Sequence, residues 1–266
     1  GGPAIGGVLV TMFGPHAAAL FDAVSYLVSA ALVWGIVVPT RERVVQQLQD
    51  TRHAIQEISR ELWQGVLAVT SSRLLRVVFG SLIFLFLSQG IINVLLIVLI
   101  NQIWGGGATE LSWIMMAQGI GGIIGSVIVG ALAARISPRM MIVGGGSIAA
   151  VLLLVMVNQP SIYIAVGLMV IAGVSIVAFD VGLTTLIQMG SDDSNRGRVS
   201  SLMQTVMALS QLIAMGITSL FADQLGAVVL LNIAGVLFGL GGLVALGAPH
   251  INPPSSANQS VPQPAE

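Results

Sequence analysis

The chain has no cysteine and no lysine, only three histidines and two tyrosines, and few charges: 8% of its residues are Asp, Glu, Lys or Arg, against about 25% in an average globular domain. Without cysteine there is neither a disulfide nor a thiolate metal site. His16, His53 and His250 stand too far apart to form a local metal motif, so no metal and no other cofactor is expected. A net charge of -1, with ten arginines as the sole basic lysine-or-arginine residues, gives no support to a nucleic-acid partner. A glycine-lysine phosphate loop is also absent, so ATP hydrolysis by that route is not expected, and the chain does not read as an enzyme. What it has instead is apolar surface. Hydrophobic residues make up 55% and the mean hydropathy is +0.95, which makes lipid rather than water its main solvent.

The arginines fall in three places only, residues 41–76, 135–139 and 196–198. Between the first and second lie two apolar runs joined by the Arg-free residues 104–110, and between the second and third lie two more joined by Asn158, Gln159 and Pro160. Arginine therefore marks every second loop, the positive-inside pattern of a multi-pass membrane protein, with Arg-bearing loops and the C-terminus in the cytoplasm of a cell (plasma or inner) membrane. A bilayer core of about 30 Å needs about 20 helical residues. Seven runs qualify: 17–38, 77–103, 111–134, 140–157, 161–187, 199–221 and 227–248. An eighth, from Gly1 to Phe13, is too short to span and starts without a methionine or signal-peptide pattern, so helices of the same protein are expected upstream of it. The fold class is all-α, a polytopic helical bundle.

Trp104 and Trp113 flank outer ends of spans and Trp34 an inner end, where amphipathic rings anchor at headgroup level. Nine of ten prolines lie in loops or the tail; Pro3 alone falls in a span, where it would bend the helix. Residues 41–69 mix arginines with apolar residues at broadly helical spacing, which fits an amphipathic helix on the membrane surface or a solvated linker helix. Residues 249–266 lack periodicity and are expected to be disordered. Gly122, Ser126 and Gly130 form one ridge of small residues, Gly235 and Gly239 another, and such ridges let helices approach closely. Gly144, Gly145 and Gly146 offer a place to bend.

Several of these stretches resemble a known family. Gly2, Pro3, Ala4, Ile5, Gly6 and Gly7 resemble the GPxxGG core of motif C, on the fifth helix of major facilitator superfamily antiporters. The stretch from Gly130 to Arg139 is similar to the second copy of that superfamily's loop motif, between the eighth and ninth helices, although Ala134 stands where the family has an acidic residue. Arg196, Gly197, Arg198 and Val199 resemble the entry to the eleventh helix in exporters of the macrolide-efflux and enterobactin-exporter type. The resemblance implies helices five to twelve of twelve: 1–38 closing an N-terminal bundle, 39–76 a cytoplasmic linker, 77–248 a C-terminal six-helix bundle and 249–266 a cytoplasmic tail. It also implies that the ninth and twelfth helices face lipid, while the seventh, eighth, tenth and eleventh border the solute path. Gly2, Pro3, Gly6 and Gly7 would form a helix kink, and Arg135, Arg139, Arg196 and Arg198 a cytoplasmic gate.

Polar residues at membrane depth are costly and should turn inward. Gln89 and Asn93, four apart on one face and near mid-membrane, Gln118, Asp180, Gln204 and Gln211 occupy the four path-lining spans, whereas residues 140–157 contain no Asn, Gln, Asp or Glu. Asn232 and Asp22 fall near outer ends. Asp180 lies seven residues, about 10 Å, from the inner end of its apolar run. It is either a proton or solute site or a structural latch paired with Arg135 or Arg139; the shallow depth favours the latch. The expected function is export of a small amphipathic organic solute by alternating access, coupled to protons. The partners are the bilayer, the solute and protons. Two other classes compete: an intramembrane aspartyl protease using Asp22 and Asp180, which lacks the GxGD context at Ala178 and Phe179, and a non-transporting scaffold.

Overall fold

The computed structural model describes residues 20–21, 23–32, 60, 63–67, 69–133, 135–190 and 196–248. Among them six helices are long and apolar enough to cross a membrane: α1 (Arg73–Gln102), α2 (Ala108–Leu132), α3 (Pro138–Asn158), α4 (Ile162–Gly190), α5 (Arg196–Leu225) and α6 (Ala227–Val244), the last running into a short 3₁₀ turn, Ala245–Gly247. No strand occurs among the described residues. In hydrocarbon every backbone N–H and C=O must be satisfied within the chain, and helices do this locally. Of the run 17–38, the described part includes a helix over Ala23–Leu32. The Gly2, Pro3, Gly6 and Gly7 motif, Asp22, Trp34, residues 39–59, Ala134 and the tail 249–266 lie outside the described residues.

Four of the six helices, α1, α2, α3 and α5, begin earlier than their apolar runs, and at three of these starts a polar side chain caps the helix. Ser72 accepts a hydrogen bond from the Leu75 N–H at 3.4 Å, which starts α1 at Arg73 rather than at 77 and moves that boundary into the stretch assigned to the linker. The Glu110 carboxylate accepts from the Gly107 N–H at 2.6 Å and starts α2 at Ala108. Ser137 accepts from the Met140 N–H at 3.4 Å, and Pro138 occupies the first turn of α3, where its missing N–H costs nothing. These satisfy orphan donors at three helix starts.

The helices alternate in direction, and contacts at the two ends show it. At the Arg-bearing end, the Arg139 guanidinium donates to the Leu246 carbonyl beyond α6. Gly182 of α4 lies against Pro138 of α3, and Gly190 against Leu75 of α1. At the opposite end, Trp104 Nε1 donates to the Gln159 carbonyl at 3.0 Å, and Trp113 stacks on Tyr163 with centroids 6.4 Å apart. Asn232 pairs there with Asn158, one amide donating at 2.7 Å and the other at 3.3 Å, which accounts for an amide on α6. The Arg-bearing connections thus lie at one end and the Arg-free ones at the other.

Packing runs α2, α4, α3, α6, α1, α5, each helix lying chiefly against its neighbours in that order. The two at the ends of this arc, α2 and α5, keep much apolar surface exposed, including Ile123, Val127, Leu212 and Leu220. Small residues set the spacing. On α2 the contact ridge is Gly121 and Gly125, not Gly122, Ser126 and Gly130: a Cβ on Gly121 would lie 2.0 Å from the Val170 carbonyl oxygen, whereas Gly130 has nothing within 4 Å. Gly235 and Gly239 do pack closely, against Leu154 and Ala150 of α3. The glycine run on α3 is a two-sided contact within an unbroken helix, Gly145 against Ser175 and Phe179 of α4 and Gly146 against Gly242 of α6. The core is continuous along the Arg-bearing half, where Leu82, Ile142, Phe179 and Leu183 are almost wholly buried and Phe179 meets Phe238 at 5.8 Å.

Candidate membrane-embedded solute site

Gln89 and Asn93 lie one turn apart on α1, about 24 and 30 Å from its start, and Gln118 about 15 Å from the start of α2, by helical rise. All three border one cavity of ≈ 120 Å³ near the middle of the bundle. Gln89 and Gln118 are half-buried and Asn93 is exposed. None of the three amides has a hydrogen-bond partner among the described residues. A backbone crossing holds Gln118 in place: its carbonyl oxygen would stand 2.4 Å from a Cβ on Gly173, so α2 and α4 touch there with no side chain between them.

The remaining wall is apolar, with Met115, Leu152, Met156, Met169, Ile176 and Phe238 among its residues. No charged side chain borders it. The arrangement therefore offers amide donors and acceptors on one side and adaptable thioethers and aliphatic groups on the other, which is chemistry for holding an amphipathic molecule rather than for making or breaking bonds.

The helices that line this cavity are not the four expected to border the solute path. Leu152, Leu153 and Met156 of α3 and Phe238 of α6 line it, although these helices were expected to face lipid; α3 does both, with Ile148, Val151 and Val155 exposed on its outer side. Conversely, α5 contributes nothing to this cavity. It packs against the other side of α1, where a Cβ on Gly90 would lie 2.5 Å from the Gln211 carbonyl oxygen and 2.6 Å from the Ala214 Cβ. Gln211 is consequently half-buried and Gln204 exposed, both away from the three amides. The methionines and the α3 wall were missed in the sequence because an aliphatic side chain facing a cavity has the same character as one facing lipid.

Asp180 is exposed on α4. The helix continues to Gly190, so Asp180 lies ten residues, about 15 Å, from the helix end. Neither Arg135 nor Arg139 pairs with it; among the described residues the carboxylate has no ion-pair partner. Its neighbour one turn away is Ile176, which lines the cavity, and one turn in the other direction is Thr184, whose hydroxyl donates to the Asp180 carbonyl at 2.9 Å. Asp180 thus stands between the cavity and the Arg-bearing end. Of the four gate arginines, Arg135 and Arg198 are exposed and Arg139 is half-buried, while the side chain of Arg196 lies outside the described residues.

A comparison with protein families returns a match to the Major Facilitator Superfamily over residues 78–264. Comparisons with curated proteins and with solved structures return no match. The matched stretch contains all of α2 to α6, nearly all of α1, the three amides and Asp180, and takes in the Gly130 to Arg139 loop. With more than half its length matched, and with six membrane-length helices, five of which border an apolar, amide-bearing cavity, the chain belongs to the major facilitator superfamily of membrane transporters.

Proposed function

We propose that this transporter exports a small amphipathic organic solute by alternating access, in exchange for protons, across the cell membrane, with its Arg-bearing loops on the cytoplasmic side. The observation that carries the reading is the set of three unpartnered amides, Gln89, Asn93 and Gln118, on one mid-membrane cavity whose remaining wall is apolar. Amides at that depth are costly when nothing meets them. A solute with carbonyl or hydroxyl groups on an apolar body would meet both the amides and the wall. The arginine asymmetry supports the orientation.

The test is efflux of an amphipathic fluorescent dye from cells expressing the full-length gene, compared with vector alone. Gln118→Leu and Asn93→Leu keep the approximate bulk of the wall and remove hydrogen-bonding capacity. Each is expected to raise the half-saturating dye concentration roughly two- to tenfold, the effect of losing about 0.5–1.5 kcal/mol of hydrogen bonding, with membrane protein levels unchanged. Unchanged half-saturation in both variants would remove the amides from the solute site. Dye retention equal to that of vector cells would count against export itself.

A further inference from the structure

A second cavity, of ≈ 210 Å³, lies between α2, α3 and α4 and shares no lining residue with the first. Its wall includes Ile128, Leu132, Ile136, Met140, Gly144 and Ile148. Its one hydroxyl, on Ser175, already donates to the Ile171 carbonyl at 3.0 Å, so the wall offers no unpaired polar group to a solute. Ile128, Met140 and Ile148 are exposed large apolar residues, which puts the groove on the outer side of the bundle, open to lipid. From Met140 to Ile148 it covers about 3 to 15 Å from the start of α3, by helical rise, which is the depth of the acyl chains in one leaflet.

Arginine flanks one end of the groove in the chain. Arg135 immediately precedes the lining residue Ile136, is exposed, and has no partner among the described residues. Arg139, four residues on, is committed to the Leu246 carbonyl on the α6 side. A planar guanidinium with free donors matches a phosphate better than any other headgroup element. No carboxylate borders the groove, and none occurs among the described residues of the α2–α3 connection, so a headgroup ammonium would find no counter-charge there. We propose that this groove is a binding site for an anionic glycerophospholipid, with one acyl chain lying against Gly144 and the phosphate at Arg135. The site depends on the membrane setting of the bundle and not on the identity of the transported solute.

Native mass spectrometry of the purified full-length protein, offered equal amounts of phosphatidylglycerol and phosphatidylcholine, tests it. The wild-type protein is expected to retain phosphatidylglycerol about fivefold over phosphatidylcholine, the selectivity that one arginine near the surface confers. Arg135→Ala, on an exposed loop, should equalise the two lipids. Gly144→Leu places a side chain into the groove, where a Cβ meets nothing within 4 Å, and should lower retention of both. Excess inorganic phosphate should not displace the lipid. A preference for phosphatidylglycerol that survives Arg135→Ala would overturn the proposal, as would undiminished retention in Gly144→Leu or displacement by phosphate alone.

Discussion

Replacing Gly121 or Gly173 with leucine is expected to abolish accumulation of the folded transporter, while Gly119→Leu, two residues away, leaves it near wild type. The three glycines share a composition but not a surrounding. A Cβ on Gly121 would lie 2.0 Å from the Val170 carbonyl oxygen, and one on Gly173 2.4 Å from the Gln118 oxygen and 2.9 Å from the Gly121 Cα. Both clashes are with backbone, which cannot rotate away as a side chain can, so the two helices must part. Around Gly119 there is open space to 4 Å. Overpacking of this kind costs about 3 kcal/mol or more. In lipid little else drives α2 and α4 together, because helix association rests on close packing and hydrogen bonds and not on the exclusion of water. Yield of monodisperse protein and the thermal midpoint in detergent measure the outcome. Gly173→Ala separates two consequences: its smaller displacement should leave some folded protein but shift Gln118 and Ala172 beside it, so dye efflux falls more than yield does. Wild-type yield from Gly121→Leu would mean that the crossing is not the point on which α2 is held.

The helices were legible because a membrane span needs a long apolar run, and a run of that length has one stable solution. Their ends were not, since Ser72, Glu110 and Ser137 extend the helix with polar caps that hydropathy counts as loop. Arginine placement gave the alternation of the connections, since a guanidinium is costly to carry across lipid. Gln89, Asn93 and Gln118 stood out for the same reason. Side chain identity alone could not decide between two possible glycine ridges on α2: Gly121 and Gly125 lie one position away from Gly122 and Ser126, and both sets have helical spacing. Ser126 is exposed, its hydroxyl donating within its own helix to the Ile123 carbonyl at 2.7 Å, and Gly130 has nothing within 4 Å, so only the Gly122 end of the apparent ridge meets a neighbour. A one-residue ambiguity turns a helix by about 100°. That same ambiguity hid the position of Gln204 and Gln211, because a polar residue in a span shows that some face is shielded without saying which helix shields it.

Asp180→Asn is expected to reduce efflux driven by an imposed proton gradient at least tenfold, while leaving the half-saturating concentration of the dye within about twofold. The substitution keeps the size of the side chain and its capacity for hydrogen bonds but removes the proton it can exchange. A latch would behave differently. Had Asp180 been paired with Arg135 or Arg139, asparagine would break an ion pair at the Arg-bearing end and change the conformational balance with or without a gradient. In the structure neither arginine is its partner, Arg139 being held at Leu246, and the carboxylate stands about 15 Å inside the end of α4, one turn beyond the cavity-lining Ile176. A carboxyl at that depth without a counter-ion is a costly feature for a span to keep. Its placement, between the cavity and the Arg-bearing end, supports the proposal that it serves the coupling ion rather than the solute. Reconstituted vesicles give the decisive comparison, since equilibrium exchange of dye across the membrane needs no net proton movement and gradient-driven accumulation does. The mutant should retain the first and lose the second; if it accumulates dye against a gradient as wild type does, proton transfer runs through a different residue.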